Sequence, residues 1–135
     1  MTITRPGSPA TKRGPADWFT GTVWIDDLAA GATASGVRAL RVTFEPGART
    51  AWHTHPHGQV LHILAGVARV QRVGEAVVEV HPGDTVWFEP GERHWHGAAP
   101  GRLMAHLAIQ HVTAGEEAAT WFEHVTDTEY NLGNG

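Results

Sequence analysis

Through the middle of the chain, apolar and polar residues alternate in short runs, and most runs end at proline or glycine. Leu40, Val42 and Phe44 alternate with Arg41, Thr43 and Glu45. Successive side chains of a strand point to opposite faces, so this pattern predicts a strand over residues 37–45 with one apolar face. Comparable runs predict strands at 51–55, 59–64, 67–73, 76–80, 85–88, 94–97 and 103–111, and an aromatic, β-branched stretch predicts an earlier one at 18–25. The breaks fall at Pro46-Gly47, Pro56-His57-Gly58, Ala65-Gly66, Gly74, Pro82-Gly83, Pro90-Gly91 and Pro100-Gly101, residues that favour turns. Residues 26–36 are small and polar and predict a loop. Many short strands at close spacing predict an all-β sandwich or barrel. No long segment carries a helical period; only Thr126-Asp127-Thr128-Glu129 fits a capping box, which predicts a short late helix. Residues 1–15, rich in Pro, Gly, Ser and Thr, read as a flexible N-terminal arm, and residues 16–135 as one domain.

Composition narrows the partners. A chain of 135 residues with 41% hydrophobic content suffices for one globular core. The net charge is -4 and the ten Lys and Arg are scattered, which argues against nucleic acid. Neither a leader-like apolar run nor a membrane span is present, so a cytoplasmic protein with no membrane partner is expected. Cysteine is absent, so any metal must rest on imidazole or oxygen ligands. Ten histidines in a chain this short are the unusual feature.

Their spacing points to a metal. His53 and His55 are two apart and share a strand face. The Pro56-His57-Gly58 turn lets Gln59 open the next strand beside them, and His94 follows the Pro90-Gly91 turn on a distant strand. Three imidazoles and one amide oxygen make a four-ligand set that leaves coordination positions open, as a catalytic metal requires.

The two segments resemble the two motifs of the cupin superfamily. The first, G-x5-H-x-H-x3,4-E-x6-G, is matched by Gly47, His53, His55 and Gly66, with Gln59 where the family has glutamate. The second, G-x5-P-x-G-x2-H-x3-N, is matched by Gly83, Gly91 and His94, with Glu89 at the proline position and Ala98 at the asparagine position. The resemblance implies a single-domain double-stranded β-helix, or jelly-roll barrel, at about residues 37–111. The segments 14–21, 44–56, 94–98 and 121–130 are similar, more closely, to the small bacterial cupin hydroxynitrile lyases. That likeness implies a manganese-dependent enzyme that makes and cleaves aromatic cyanohydrins such as (R)-mandelonitrile. Fe(2+), Ni(2+), Co(2+) and Zn(2+) suit the same donors. Glutamine in place of glutamate leaves the ion its full dipositive charge, which favours Lewis-acid chemistry.

Parity nominates further residues. His106 shares a face with Met104, Ala108 and Gln110, opposite the apolar face of Leu103, Ala105, Leu107 and Ile109. His96 shares parity with His94. His106 is therefore the expected base, His96 its support and Gln110 a hydrogen-bond donor to cyanide or to the carbonyl oxygen. Leu40, Val42 and Phe44 form the expected pocket for the aromatic ring of a small-molecule substrate. His57, His62, His81, His111 and His124 read as non-ligands, and Trp52, Trp87 and Trp95 as shaping the barrel or its mouth. The apolar outer face predicts a homo-oligomer, a dimer or tetramer. Two alternatives stay open at this point: a quercetinase-like metal-dependent dioxygenase, and a non-catalytic small-ligand-binding cupin.

Overall fold

A computed structural model describes residues 1–29 and 36–131; part of the loop expected at 26–36 lies outside the described residues. In chain order the strands are β1 (Lys12–Arg13), β2 (Phe19–Thr20), β3 (Val23–Asp27), β4 (Val37–Phe44), β5 (Arg49–Thr50), β6 (His53–Thr54), β7 (Gln59–Gly66), β8 (Ala68–Arg72), β9 (Val78–Val80), β10 (Thr85–Phe88), β11 (His94–Ala98), β12 (Met104–His111) and β13 (Thr120–Trp121). One short helix, α1 (Asp127–Asn131), follows. The all-β expectation holds, and no described helix is long and apolar enough to cross a membrane.

The strands form two antiparallel sheets. One has the order β1-β3-β4-β12-β7-β10. The other runs β13-β6-β11-β5-β2, with β8 pairing β11 and β9 pairing β8. The face that each sheet turns inward is the one the alternation marks. Val42, Phe44, Leu61, Ile63, Phe88, Met104 and Ala108 are buried in one cluster with Phe19 and Val23. Fully burying an aliphatic or aromatic side chain of this kind contributes roughly 1.5–3 kcal/mol, so this cluster supplies much of the drive to fold.

Two expected elements differ in a way that shapes the site. The single strand expected at 18–25 is two strands in two sheets, because Gly21 turns the chain at φ +80°. An added Cβ there would lie 2.9 Å from the Cβ of Ala48. The strand expected at 51–55 shrinks to His53–Thr54, since the Trp52 N–H donates to the Glu123 carbonyl at 3.0 Å and the Phe122 N–H to the Trp52 carbonyl at 2.8 Å. The C-terminal segment thereby lies along β6 and delivers Trp121 directly opposite His53. In β7 the register against β12 slips between Ala105 and His106, and Leu64 is the extra residue.

The helix begins with the expected capping box. The Glu129 N–H donates to Thr126 Oγ1 at 3.1 Å, and the Thr126 N–H donates to Glu129 Oε1 at 3.2 Å. Its Tyr130 hydroxyl donates to the Ala98 carbonyl at 2.6 Å, and the Arg49 guanidinium lies 4.6 Å from the ring centre. With Trp52, Trp95 and Val125, Tyr130 forms a second, smaller core outside the barrel.

Candidate metal centre

Register places the histidines before any chemistry is considered. His94 on β11 pairs with His53 on β6, so both side chains leave the same face. His96 lies two residues further along that face. The tight turn at residues 56–58 returns the chain so that Gln59 opens β7. Gly58 adopts φ +80°, and a Cβ there would meet the Trp87 ring at 2.4 Å, so the turn requires glycine.

His53, His94 and His96 offer ligand atoms that all lie within 4.8 Å of one another, and all three are buried. His55 stands beside them, its ring 5.0 Å from that of His53. Gln59 Oε1 is 3.3 Å from His94 Nε2.

Proton placement makes this cluster a cation site. The Nδ1 of His53 faces the Ala51 carbonyl at 2.9 Å, that of His55 the Ala118 carbonyl at 2.7 Å, and that of His94 the Glu92 carbonyl at 2.8 Å. A carbonyl only accepts, so each Nδ1 carries the proton and each Nε2 presents a lone pair. Buried His55 Nε2 has no hydrogen-bond partner. The Gln59 amide N–H donates to Gln110 Oε1 at 2.9 Å, so the Gln59 oxygen faces the lone pair of His94. Two acceptors confronting each other at this distance, beside an unpartnered third, are satisfied by a cation between them. The donor set thus fits a divalent ion on nitrogen and oxygen ligands.

Burial also keeps the imidazoles neutral. Desolvation pushes the pKa of His53 and His96 well below the ordinary histidine value, and neighbouring histidines add to the effect. Desolvation lowers His55 too, and takes His94 down to about 3 and His106 to about 4. Neutral imidazole is the form that ligates a metal or accepts a proton.

His106 lies across the lumen on β12, its Nε2 3.0 Å from His96 Nδ1. One of these two nitrogens must donate, so one of the pair's two N–H protons lies between the rings. The outer atoms, His96 Nε2 and His106 Nδ1, are buried without partners. Both residues border a cavity of about 380 Å³, which also reaches His53, His55, Gln59 and Gln110. Leu40 and Val42 line it as well. Phe44 sits one rung deeper, 5.3 Å from the His106 ring and 5.9 Å from that of His96.

Other parts of the cavity wall carry no local signal in the sequence. Trp18 and Trp121 line it, stacked 5.1 Å apart, and Trp121 also stacks on His53 at 4.6 Å. Arg38 and residues 116–119 complete the mouth. Of the three tryptophans expected to shape the barrel, Trp52 and Trp95 lie in the smaller core and Trp87 is half exposed on the outer face. His57 is tied to Glu116 at 2.8 Å, and His62 to Thr85 at 2.8 Å.

Comparison with known proteins agrees with this geometry. The Cupin_2 family model, a cupin domain, matches residues 40–109. The (R)-mandelonitrile lyase of Granulicella tundricola is 60% identical over 130 residues, covering 96% of this chain and 98% of that protein. A solved cupin-like protein from Thermotoga maritima superposes with a TM-score of 0.83 at 37% identity, covering 89% of this chain and 90% of that one. A predicted oxalate decarboxylase from the same organism shares the fold at a TM-score of 0.73 and 21% identity, covering 83% of this chain and 100% of that one.

Proposed function

The chain belongs to the cupin domain family, and from that premise we propose that it is a hydroxynitrile lyase, reversibly splitting aromatic cyanohydrins such as (R)-mandelonitrile into aldehyde and cyanide. The observation that carries this reading is the 60% identity to a mandelonitrile lyase along nearly the whole of both chains. The cavity supports it, with neutral histidines and convergent acceptors at one end and apolar walls at the other. His53, His55, Gln59 and His94 would hold one divalent metal per chain, Mn(2+) by preference, with His96 close at hand. When bound, such an ion supplies Lewis acidity to the hydroxyl or carbonyl oxygen of the substrate.

The chain's own residues do the rest. Leu40, Val42 and Ala108 flank the aromatic ring and exclude water from it. His106, as base, accepts the hydroxyl proton. As the C–CN bond breaks, its electron pair leaves with cyanide and the carbonyl double bond forms. Burial makes the resulting imidazolium a strong acid, so it returns its proton to cyanide and hydrogen cyanide departs. His96 shares the proton with His106 and steadies its orientation. Gln110 turns the Gln59 oxygen toward the ligand cluster and keeps its own N–H free for the nitrile or the carbonyl oxygen.

A homo-oligomer is part of the proposal. Ile109, Val60 and Trp87 stand on one rung of the outer face, with Ile109 36% and Trp87 50% exposed in the single chain. An apolar rung of this kind is suited to burial against a second copy.

One preparation tests the reading. Purified protein should carry close to one divalent ion per chain, scatter light as a dimer or tetramer, and release benzaldehyde from mandelonitrile. His53→Ala combined with His55→Ala should lose both ion and activity. Loaded protein with no benzaldehyde release refutes the lyase, and a scattering mass of 14.6 kDa refutes the oligomer.

A further inference from the structure

The substrate pocket has apolar walls in Leu40, Val42 and Ala108, yet a cation also borders it. Arg38 lies opposite Gln110 in the pairing of β4 with β12. Directly paired residues of an antiparallel ladder share a face. Arg38 therefore belongs to the inward series that continues through Leu40 beside Ala108 and Val42 beside His106. It borders the same cavity as those residues. Its positive charge is felt at His55, where it helps hold the imidazole neutral. Among the described residues its guanidinium makes no hydrogen bond or ion pair, unlike those of Arg49, Arg69, Arg72 and Arg93. The acids that share a cavity wall with it do not pair with it: Glu116 is engaged by His57, Asp27 by Lys12, and Glu117 has no ion pair with Arg38.

Distance gives this cation a task. Four residues along β4 separate Val42, level with His106, from Arg38, about 13 Å of strand. A substrate whose reacting carbon lies toward His106, with its nitrile or carbonyl oxygen in reach of the Gln110 N–H, and whose ring rests on Leu40 of the neighbouring strand, would turn the far edge of that ring along β4 toward Arg38. A cavity of about 380 Å³ accommodates a substituted ring of this size.

We propose that Arg38 is a specificity-determining residue that recognises a carboxylate on the far edge of the substrate ring, so that the preferred substrates are acid-bearing aromatic aldehydes and their cyanohydrins. The proposal rests on the lyase reading for its reaction but not for its binding step. A guanidinium presents a planar fork to a carboxylate, and a neutral ring leaves that fork unused.

The test compares 4-carboxybenzaldehyde with benzaldehyde in cyanide addition, reading the ratio of kcat/KM. In the wild type the ratio should exceed one. Arg38→Leu should lower it about threefold, the loss expected for one charge pair at an exposed site. Arg38→Lys should restore part of it, since the charge returns without the fork. Glu117→Gln removes a like charge from the wall and should raise it. Metal content measured on each variant keeps loss of the ion from being mistaken for loss of recognition. A ratio below one in the wild type, or one unmoved by Arg38→Leu, overturns the proposal. If no aldehyde is converted, the lyase reading falls by itself. Quenching of Trp18 and Trp121 fluorescence by 4-carboxybenzaldehyde then still reads the carboxylate contact: binding weakened by Arg38→Leu supports it, and equal binding overturns it.

Discussion

His106 and His96 meet at 3.0 Å on the lumen floor, and substitution should separate their tasks. Replacing His106 with alanine removes the proton acceptor but touches none of the four proposed ligands. The variant should fold and keep its ion while losing about 10²–10⁴-fold in mandelonitrile cleavage. Gln59→Glu should also keep the ion, because a carboxylate is the stronger ligand, yet lose activity as its negative charge weakens the Lewis acid. Benzaldehyde release and metal content, measured on both variants and on His96→Ala, decide the matter. If His106→Ala keeps the wild-type rate while His96→Ala fails, the base is His96. At this scale the sequence was informative wherever chemistry follows strand parity: His53 with His55, His94 with His96, and His106 with Gln110. It was silent on Trp121, Trp18 and Arg38 as wall residues. Trp121 reaches His53 only because a distant C-terminal segment pairs with β6, a long-range contact that local patterning does not encode.

Among the elements, α1 holds the outside of the barrel together although it is only five residues long. Its capping box fixes the first turn, and that turn presents Tyr130 to Ala98 on β11 and Glu129 to the Trp52 indole at 2.8 Å. Thr126→Ala should cost about 1 kcal/mol, a typical loss for a removed cap, and lower Tm by a few degrees. Thermal melts of the two proteins at equal metal loading check this, and an unchanged Tm would show that tertiary contacts alone fix the turn. The helix was legible because a capping box is a local signal. The division of residues 18–25 between two sheets was not. A single glycine within an apolar run reads as a weak point in one strand, and only the approach of Ala48 converts it into a corner.

For the whole molecule, the buried imidazoles tie stability to acidity. His94 and His106 titrate in the folded chain near 3 and 4, depressed by burial, against about 6.5 when unfolded. Between those limits the unfolded chain binds protons that the folded chain refuses, so stability rises with pH across that window. His53, His55 and His96 are shifted the same way. Chelated protein should therefore melt at progressively lower temperature as pH falls below about 6.5, with little change above it. A melting temperature flat from about pH 7 to about pH 5 would mean that these histidines are not shielded in solution. The barrel itself was legible from alternating strands and Pro/Gly turns. The second core around Trp52, Trp95 and Tyr130 was not, because its members lie far apart in sequence and share no period.

Three imidazoles of the candidate metal centre, those of His53, His94 and His55, are oriented by main-chain carbonyls, those of Ala51, Glu92 and Ala118. Point substitution exchanges side chains and leaves carbonyls in place. Orientation of the ligands is thus insulated from most mutational drift, and residues 116–119 are free to change what the mouth admits while Ala118 continues to steer His55. New substrate range can evolve on that wall by single replacements, whereas an insertion or deletion of one residue there displaces the carbonyl and turns His55 out of line.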